Sequence, residues 1–336
     1  ANSIASVGEN DEVRLWNREN FQLMEILRGH DETVWSIGSL GEDYYVSVGR
    51  DGELHWWSSL KTIPTTLRVS GTFPASDIAF VWNDSLVTVS EFGTGLQVID
   101  VVTGNQNLIP SEVNQELSLV KFIPTTSLVV TGDIEGNLRL WDVEHMKQGD
   151  LIGTCDGQIS ALSVSRFGKQ VATGTFKGNV CVWNIRTFEQ VVSKQLSDAI
   201  VVALDFDDSG ERIFVSTSGG TVFALDARTG DEIWSFDNKS GDIITLDFVE
   251  GKQTLIAATA GYNVQSINAN TGEAVKSVNE IGGALRDVII LPNEKRFVTA
   301  LSSGTVGIWN LEEFSLIASF PACDSIECID VSRDGY

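Results

Sequence analysis

A repeat that runs through the whole chain limits the possible folds more than any other feature. Each unit ends in a large apolar residue followed by a polar one, and successive endings lie 41 residues apart once and 42 residues apart six times. The eight endings are Trp16-Asn17, Trp57-Ser58, Ile99-Asp100, Trp141-Asp142, Trp183-Asn184, Leu225-Asp226, Ile267-Asn268 and Trp309-Asn310. Short apolar runs and turn residues fill each unit, without a helical period. A repeat of this length with four short strands predicts a β-propeller.

The eight units predict an all-β fold, an eight-bladed β-propeller of four-stranded antiparallel blades. Residues 1–28 supply three strands of the opening unit, and residues 325–336 supply one more strand, Ile326 to Val331. We therefore expect the C-terminal strand to join the N-terminal blade and to close the ring, because closure removes an open sheet edge. The interpretation is a single domain over residues 1–336, whose first blade is shared between 1–28 and 325–336.

Several short motifs resemble the WD-repeat family. They are Gly29-His30 with Trp57-Ser58, and the strand endings Leu140-Trp141-Asp142 and Val182-Trp183-Asn184. The resemblance covers nearly the whole chain, although the units that end at Ile99, Leu225 and Ile267 lack the tryptophan. It implies a propeller that acts as a scaffold for protein complexes.

Four polar and aromatic residues match the structural tetrad of that family, namely His30, Ser47, Asp51 and Trp57. The resemblance implies a chain of hydrogen bonds from the tryptophan N–H through serine and histidine to aspartate, which satisfies buried polar atoms. Ser, His and Asp also suggest a hydrolase, but no Gly-x-Ser-x-Gly elbow is present. We therefore expect no catalytic residues and no metal site, and surface or strand-filling roles for His55 and His145.

One unit resembles a quinoprotein propeller repeat, through Ala224-Leu225-Asp226, Thr229-Gly230 and Trp234, and residues 267–274 echo it. A quinone-dependent oxidoreductase is therefore an alternative function. Such a cofactor would need cationic and amide groups on the central face, a metal-binding set and a tryptophan floor. The sequence supplies only the part that stabilises a blade. We expect no cofactor, no enzymatic activity, and a packing role for Trp234 at a blade junction.

The net charge of −23 argues against direct binding of nucleic-acid phosphates. The same charge permits a basic partner, so an acidic escort for a histone or ribosomal protein is a second alternative. No run of 18 apolar residues predicts a membrane span, and no signal peptide is visible. These features favour a cytoplasmic or nuclear location.

Four cysteines occur, at positions 155, 181, 323 and 328. Cys181 lies in a predicted strand, which favours a small core residue. Cys323 and Cys328 do not match a common zinc spacing, and no pair of histidines lies near them. We therefore expect buried free thiols in a reducing compartment.

The narrow face of WD-repeat propellers carries the turns between second and third strands and the entries to the first strands. Turns are normally polar, yet three successive turns of this kind hold large apolar residues. A cluster of aromatic residues and arginine on a rigid rim has the composition of a protein-binding hot spot. The candidate partner-binding residues are Trp35, Arg50, Phe92, Ile134, Phe176 and Arg286.

These observations predict a non-enzymatic scaffold that docks a peptide or a partner domain on the narrow face, within a larger complex. A rigid platform suits this task because it loses little entropy on binding.

Overall fold

The structure is a computed structural model. It describes residues 3–9, 11–40, 44–51, 53–58, 61–68, 77–81, 86–91, 95–100, 105–111, 116–124, 126–238, 241–260, 263–279, 282–291, 295–322 and 325–331.

The described strands pair into four-stranded antiparallel sheets, here called blades. Blade 1 joins the two ends of the chain and consists of β1 (Ser3–Gly8), β2 (Glu12–Asn17), β3 (Leu23–Arg28) and β32 (Ile326–Val331). Blade 2 consists of β4 (Val34–Leu40), β5 (Tyr44–Gly49), β6 (Glu53–Ser58) and β7 (Lys61–Arg68). Blade 3 consists of β8 (Ile78–Val81), β9 (Leu86–Glu91), β10 (Gly95–Asp100) and β11 (Gln106–Pro110).

The next blades repeat this order without interruption. Blade 4 consists of β12 (Leu117–Phe122), β13 (Leu128–Asp133), β14 (Asn137–Asp142) and β15 (Lys147–Thr154). Blade 5 consists of β16 (Ile159–Val164), β17 (Gln170–Thr175), β18 (Asn179–Asn184) and β19 (Gln190–Gln195). Blade 6 consists of β20 (Val201–Phe206), β21 (Arg212–Thr217), β22 (Thr221–Asp226) and β23 (Glu232–Asp237).

Two further blades complete the ring. Blade 7 consists of β24 (Ile243–Phe248), β25 (Thr254–Thr259), β26 (Asn263–Asn268) and β27 (Ala274–Asn279). Blade 8 consists of β28 (Leu285–Ile290), β29 (Arg296–Leu301), β30 (Thr305–Asn310) and β31 (Leu316–Pro321). The strand pairing thus divides the described strands into eight sheets.

The ring is closed by its innermost strands. The first strand of each blade contacts the first strand of the next, and β32 takes this place in blade 1 by contacting both β28 and β4. Within blade 1, β32 pairs antiparallel with β1, with Ile4 opposite Val331. This pairing joins the two ends of the described chain, and β1 is left without an open edge.

Hydrophobic clusters fill the junctions between blades. Seven such clusters are described, and each combines buried side chains of two neighbouring blades. They cover every junction except the one between blades 2 and 3, where most side chains lie outside the described residues. Apolar residues on both faces of a strand are explained by this arrangement, because each blade is covered on two sides.

The tryptophan of the repeat ties the third strand of a blade to its second strand. Its indole N–H donates to a Ser or Thr hydroxyl ten residues earlier, at 2.8–3.0 Å, in four blades. The pairs are Trp16–Ser6, Trp57–Ser47, Trp141–Thr131 and Trp309–Thr299. The tryptophan therefore fills the wedge between blades without leaving its buried N–H unsatisfied.

Where the turn to the outer strand is described, the polar residue that follows the large apolar ending of the repeat closes this turn. In blade 5, the Asn184 side-chain oxygen accepts hydrogen bonds from the backbone N–H groups of Arg186 and Thr187, at 2.9 and 3.2 Å. The fourth residue after it adopts a left-handed conformation, as Phe188 does with a φ of 57°. The corresponding residue of blade 6 is Gly230, which adopts this conformation without steric cost.

The prediction of free thiols is wrong for two of the four cysteines. Cys155 and Cys181 form a disulfide, with their Cα atoms 6.1 Å apart. Cys155 follows the outer strand of blade 4, and Cys181 lies in the third strand of blade 5, so the bond links two blades. Cys328 is a free thiol, and Cys323 lies outside the described residues.

Candidate functional site

The turns between second and third strands have one backbone design around the described ring. The first turn residue donates its N–H to a carbonyl just before the inner strand of the same blade, at 2.8–3.2 Å. These turn residues are Arg50, Ile134, Phe176, Ser218, Ala260 and Ser302. The shared bond means that the side chains at this position emerge at equivalent places on one face.

The first-strand positions of this face, which include Trp35 and Arg286, share one backbone feature in blades 2 and 4 to 8. Where the inner strand pairs with the second strand, the register shifts by one residue, which is a β-bulge. The extra residues of these bulges are Trp35, Ser118, Ser160, Val202, Ile244 and Arg286. A bulge turns one side chain out of the alternation of the strand, which explains how an inner strand reaches the rim.

Within the described part of this face, large exposed apolar side chains are concentrated in one sector. Ile134 and Phe176 are 38% and 47% exposed, and Trp35 is 40% exposed. The equivalent turn positions of blades 6, 7 and 8 hold Ser218, Ala260 and Ser302. The sequence thus places apolar surface in the turns of blades 4 and 5, where polar residues are usual, and at the inner-strand bulge of blade 2.

The remaining predicted residues are distributed unevenly. Arg50 lies one strand from Trp35 in blade 2, is 68% exposed, and forms an ion pair with Glu32 at 3.6 Å. Phe92 would fall in blade 3 between the two groups, but it lies outside the described residues. Arg286 is exposed in blade 8, separated from blade 2 by blade 1, so it does not adjoin Ile134 and Phe176. We call Trp35, Arg50, Ile134 and Phe176 the rim patch.

The tetrad residues form the hydrogen-bond chain expected of them. The Trp57 N–H donates to Ser47 Oγ at 2.8 Å, and Ser47 Oγ lies 2.7 Å from His30 Nε2. His30 Nδ1 lies 2.8 Å from Asp51 Oδ2, and Asp51 also accepts the backbone N–H groups of Asp31 and Glu53. The chain connects the inner-strand entry to the turn after β5.

Burial and hydrogen bonding set the protonation states of His30 and Asp51 in the tetrad. Burial lowers the pKa of His30, and the neighbouring His55 lowers it further. Burial alone would raise the pKa of Asp51, but the hydrogen bond from the Glu53 backbone and the contact with His30 hold it below its usual value. At neutral pH the pair is therefore a neutral imidazole and a carboxylate, which suits a structural hydrogen bond.

The inner strands of three neighbouring blades carry buried carboxyl groups. Asp205, Asp247 and Asp287 occupy the inner strands of blades 6, 7 and 8, and burial raises the pKa of each. The nearby cation is Lys121, on the inner strand of blade 4. Trp234 donates its N–H to the Ala269 carbonyl of blade 7 at 3.0 Å, a packing role at a blade junction.

Sequence reasoning missed two surface features. Outer strands expose apolar side chains around the circumference, among them Met24 at 57% and Val275 at 60%. Phe167, in the turn between the first and second strands of blade 5, is 60% exposed on the face opposite to Phe176. Pairs of apolar residues in the outer strands could have predicted the exposed apolar side chains around the circumference.

A groove of about 370 Å³ also opens between the outer parts of blades 6 and 7. Phe236, Asn238, Gln265 and Val275 are among the residues that line it. The Gln265 amide donates to Asn238 Oδ1 at 3.1 Å, so these two polar groups satisfy each other.

Similarity to known proteins supports the fold and leaves the function open. A family model described as outer membrane protein assembly factor BamB matches residues 125–280, which is less than half of the chain. Among solved structures, the chain is similar to the computationally designed Ika8 protein, with a TM-score of 0.79 and 21% identity over 92% of this chain and 93% of that one. At this identity the likeness shows a β-propeller fold alone. No curated protein matches the chain.

The described elements are the strands of the blades and the turns between them. Among the residues that the structure describes, there is no helix of sufficient length and apolar character to cross a bilayer.

Proposed function

We propose that this propeller is a non-enzymatic scaffold that binds a protein or peptide partner through the rim patch. The observation that carries the proposal is the exposure of Ile134 and Phe176 at turn positions where blades 6 to 8 have Ser or Ala, together with the exposure of Trp35 on the same face. Aromatic side chains with an adjacent arginine contribute strongly to protein interfaces. The ring of paired strands holds these side chains rigidly, so little entropy is lost on binding.

The chemistry of the patch suggests the kind of partner. The apolar side chains of the patch would pack against a hydrophobic surface of the partner. Arg50 would leave its weak surface ion pair with Glu32 and pair with an acidic group of the partner. The partial match to a family named for an assembly factor is compatible with a role in protein complexes.

The disulfide supports a different location from the one that the sequence predicted. Disulfides persist in oxidising compartments and are rare in the cytosol and nucleus. Because Cys155 and Cys181 are paired, we propose that the protein works in a compartment that permits disulfides.

The test compares partners recovered by wild type, by a Trp35→Ala/Phe176→Ala variant and by a Phe167→Ser variant. Partners recovered from source cells are identified by mass spectrometry, and the affinity of the main one is then measured. We expect the double variant to bind at least about tenfold more weakly. Phe167→Ser is the matched control, because it removes an exposed aromatic from the opposite face of the same blade. Equal affinity for all three proteins would contradict the proposal.

A second candidate, an escort for a basic protein, rests on the net charge of −23. Binding that falls steeply with salt and does not depend on Trp35 or Phe176 would favour it over the rim patch.

A further inference from the structure

Three potential metal ligands meet beside the tetrad of blade 2. His30 precedes the inner strand β4, Asp51 lies in the turn between β5 and β6, and His55 lies on β6. One ligand atom from each residue can be chosen so that all three atoms lie within 4.8 Å of one another. Two imidazoles and a carboxylate are a common donor set for zinc.

His55 has a nitrogen that the fold does not use. The side chain is 1% exposed, and its Nε2 lies 3.0 Å from Glu53 Oε2. Its Nδ1 is buried and has no hydrogen-bond partner among the described residues. A buried polar atom without a partner destabilises the fold, so its presence calls for an explanation. The imidazole also lies against the ring of His30, with centroids 4.0 Å apart.

The surroundings of both histidines have the form that metal-binding histidines show. Such residues hold one ring nitrogen by hydrogen bonding to an oxygen and use the other nitrogen for the metal. Nε2 of His55 is hydrogen-bonded to the Glu53 carboxylate, and Nε2 of His30 is hydrogen-bonded to Ser47 Oγ. This leaves Nδ1 of each ring as the candidate ligand, and Nδ1 of His30 already lies 2.8 Å from Asp51 Oδ2.

The backbone at Gly49 passes close to His30 and Asp51. A Cβ atom on Gly49 would lie 2.7 Å from His30 Nδ1 and 2.8 Å from Asp51 Oδ1. Any side chain at this position would therefore press on the two atoms that would bind the ion.

We propose that His30, Asp51 and His55 form a binding site for a single zinc ion. His30 Nδ1, His55 Nδ1 and one Asp51 oxygen supply three ligands at about 2.0–2.2 Å, and water takes the fourth position. His30 remains a neutral imidazole: its proton moves from Nδ1 to Nε2, and Ser47 Oγ then accepts hydrogen bonds from both His30 and Trp57. The ion replaces the hydrogen bond between His30 and Asp51 and gives His55 Nδ1 a partner.

Zinc binding is measured by calorimetry on chelator-treated protein, with wild type compared with His55→Gln and Glu53→Gln. We expect wild type to bind one zinc ion, His55→Gln to lose this site, and Glu53→Gln to bind about tenfold more weakly because His55 loses the carboxylate that orients it. Cobalt bound to wild type is expected to show the visible absorption of a tetrahedral site.

His145→Ala is the matched control. His145 also pairs with a carboxylate, Asp142 at 2.8 Å, but its side chain is 70% exposed. This variant should bind zinc as wild type does. Thermal melts of the metal-free proteins show whether His55→Gln folds. Absence of zinc binding by wild type, or zinc binding that survives His55→Gln, would overturn the proposal, and so would loss of zinc binding in His145→Ala.

Discussion

Asp205, Asp247 and Asp287 are buried aspartates of the inner strands, and Asp247 has the fewest hydrogen-bond donors of the three among the described residues. Asp205 and Asp287 each accept a backbone N–H from the inner strand of the following blade, at 3.1 and 3.2 Å. Among the described residues, the only donor to the Asp247 side chain is the Thr245 hydroxyl, at 3.3 Å. Burial, and then the charges of Asp205 and Asp287, raise the pKa of Asp247 to about 7, while Lys121 opposes this effect weakly.

We expect Asp247→Asn to stabilise the protein above neutral pH and to reduce the dependence of its stability on pH. The folded protein binds the Asp247 proton more tightly than the unfolded chain, whose Asp pKa is about 4. Wild-type stability from this group is therefore complete below pH ~4 and is lost as the pH rises through about 7. Denaturant unfolding should show a larger gain for Asp247→Asn at pH 8 than at pH 5, by ~2–3 kcal/mol, because most of the interval between the unfolded and folded pKa values lies above pH 5.

The matched control for this experiment is Asp231→Asn, since Asp231 is an exposed turn residue of the neighbouring blade 6. It should not change the difference between the two pH values. An Asp247→Asn protein with the wild-type pH dependence would show that the carboxyl group is ionised at both pH values.

The residue scale also shows where sequence reasoning ends. The turn positions of Ile134 and Phe176 follow from the repeat, since one residue of each unit must occupy that turn. The bulges that bring out Trp35 and Arg286 do not follow, because a bulge depends on how the backbone bends against the next blade. The position of Arg286 apart from the rim patch follows instead from the order of the repeats, because blade 1 separates its blade from blade 2.

At the scale of elements, the disulfide joins two blades that otherwise meet through side-chain packing. Replacing Cys155 and Cys181 by Ala should lower the free energy of unfolding by ~3 kcal/mol, because the crosslink limits the unfolded chain. Urea unfolding in the presence and absence of a reducing agent measures this effect.

The free energy of unfolding of the double variant should not change when the reducing agent is added. A Cys328→Ser variant should lose as much stability on reduction as wild type does. Two titratable thiols at positions 155 and 181 in protein purified without reductant would contradict the disulfide.

The strands themselves were predictable, and this bond was not. Short apolar runs and Gly-containing turns specify the strands locally. Cys155 and Cys181 are 26 residues apart in sequence, and only the packing of blade 5 against blade 4 brings their Cα atoms within 6.1 Å. The spacing of cysteines alone cannot show this contact between blades.

At the scale of the molecule, stability depends on closure by β32. Ile329 of this strand is buried in the cluster between blades 8 and 1, and Asp330 accepts the Ser39 N–H of blade 2 at 2.5 Å. A chain that ends at residue 324 should unfold at lower denaturant concentration and self-associate, because β1 would become an open edge. A synthetic peptide of residues 325–336, added in trans, should restore the unfolding midpoint.

This experiment would contradict the importance of closure if the shortened chain were as stable and as monomeric as wild type. A shortened chain that the peptide does not rescue would also contradict it. The closed ring was predictable because the two incomplete end units complement each other in strand number. The repeat alone determines neither which part of the rim binds a partner nor what that partner is.

The pairing of Ile4 with Val331 has one more consequence. A short peptide linker could join the two strands that meet there, and the gene could then be circularly permuted to start in any loop between blades. Opening the chain before β16 would leave blades 4 and 5 held by their disulfide at the new termini. Such a permutant would move the covalent gap away from blade 1 while keeping every blade intact.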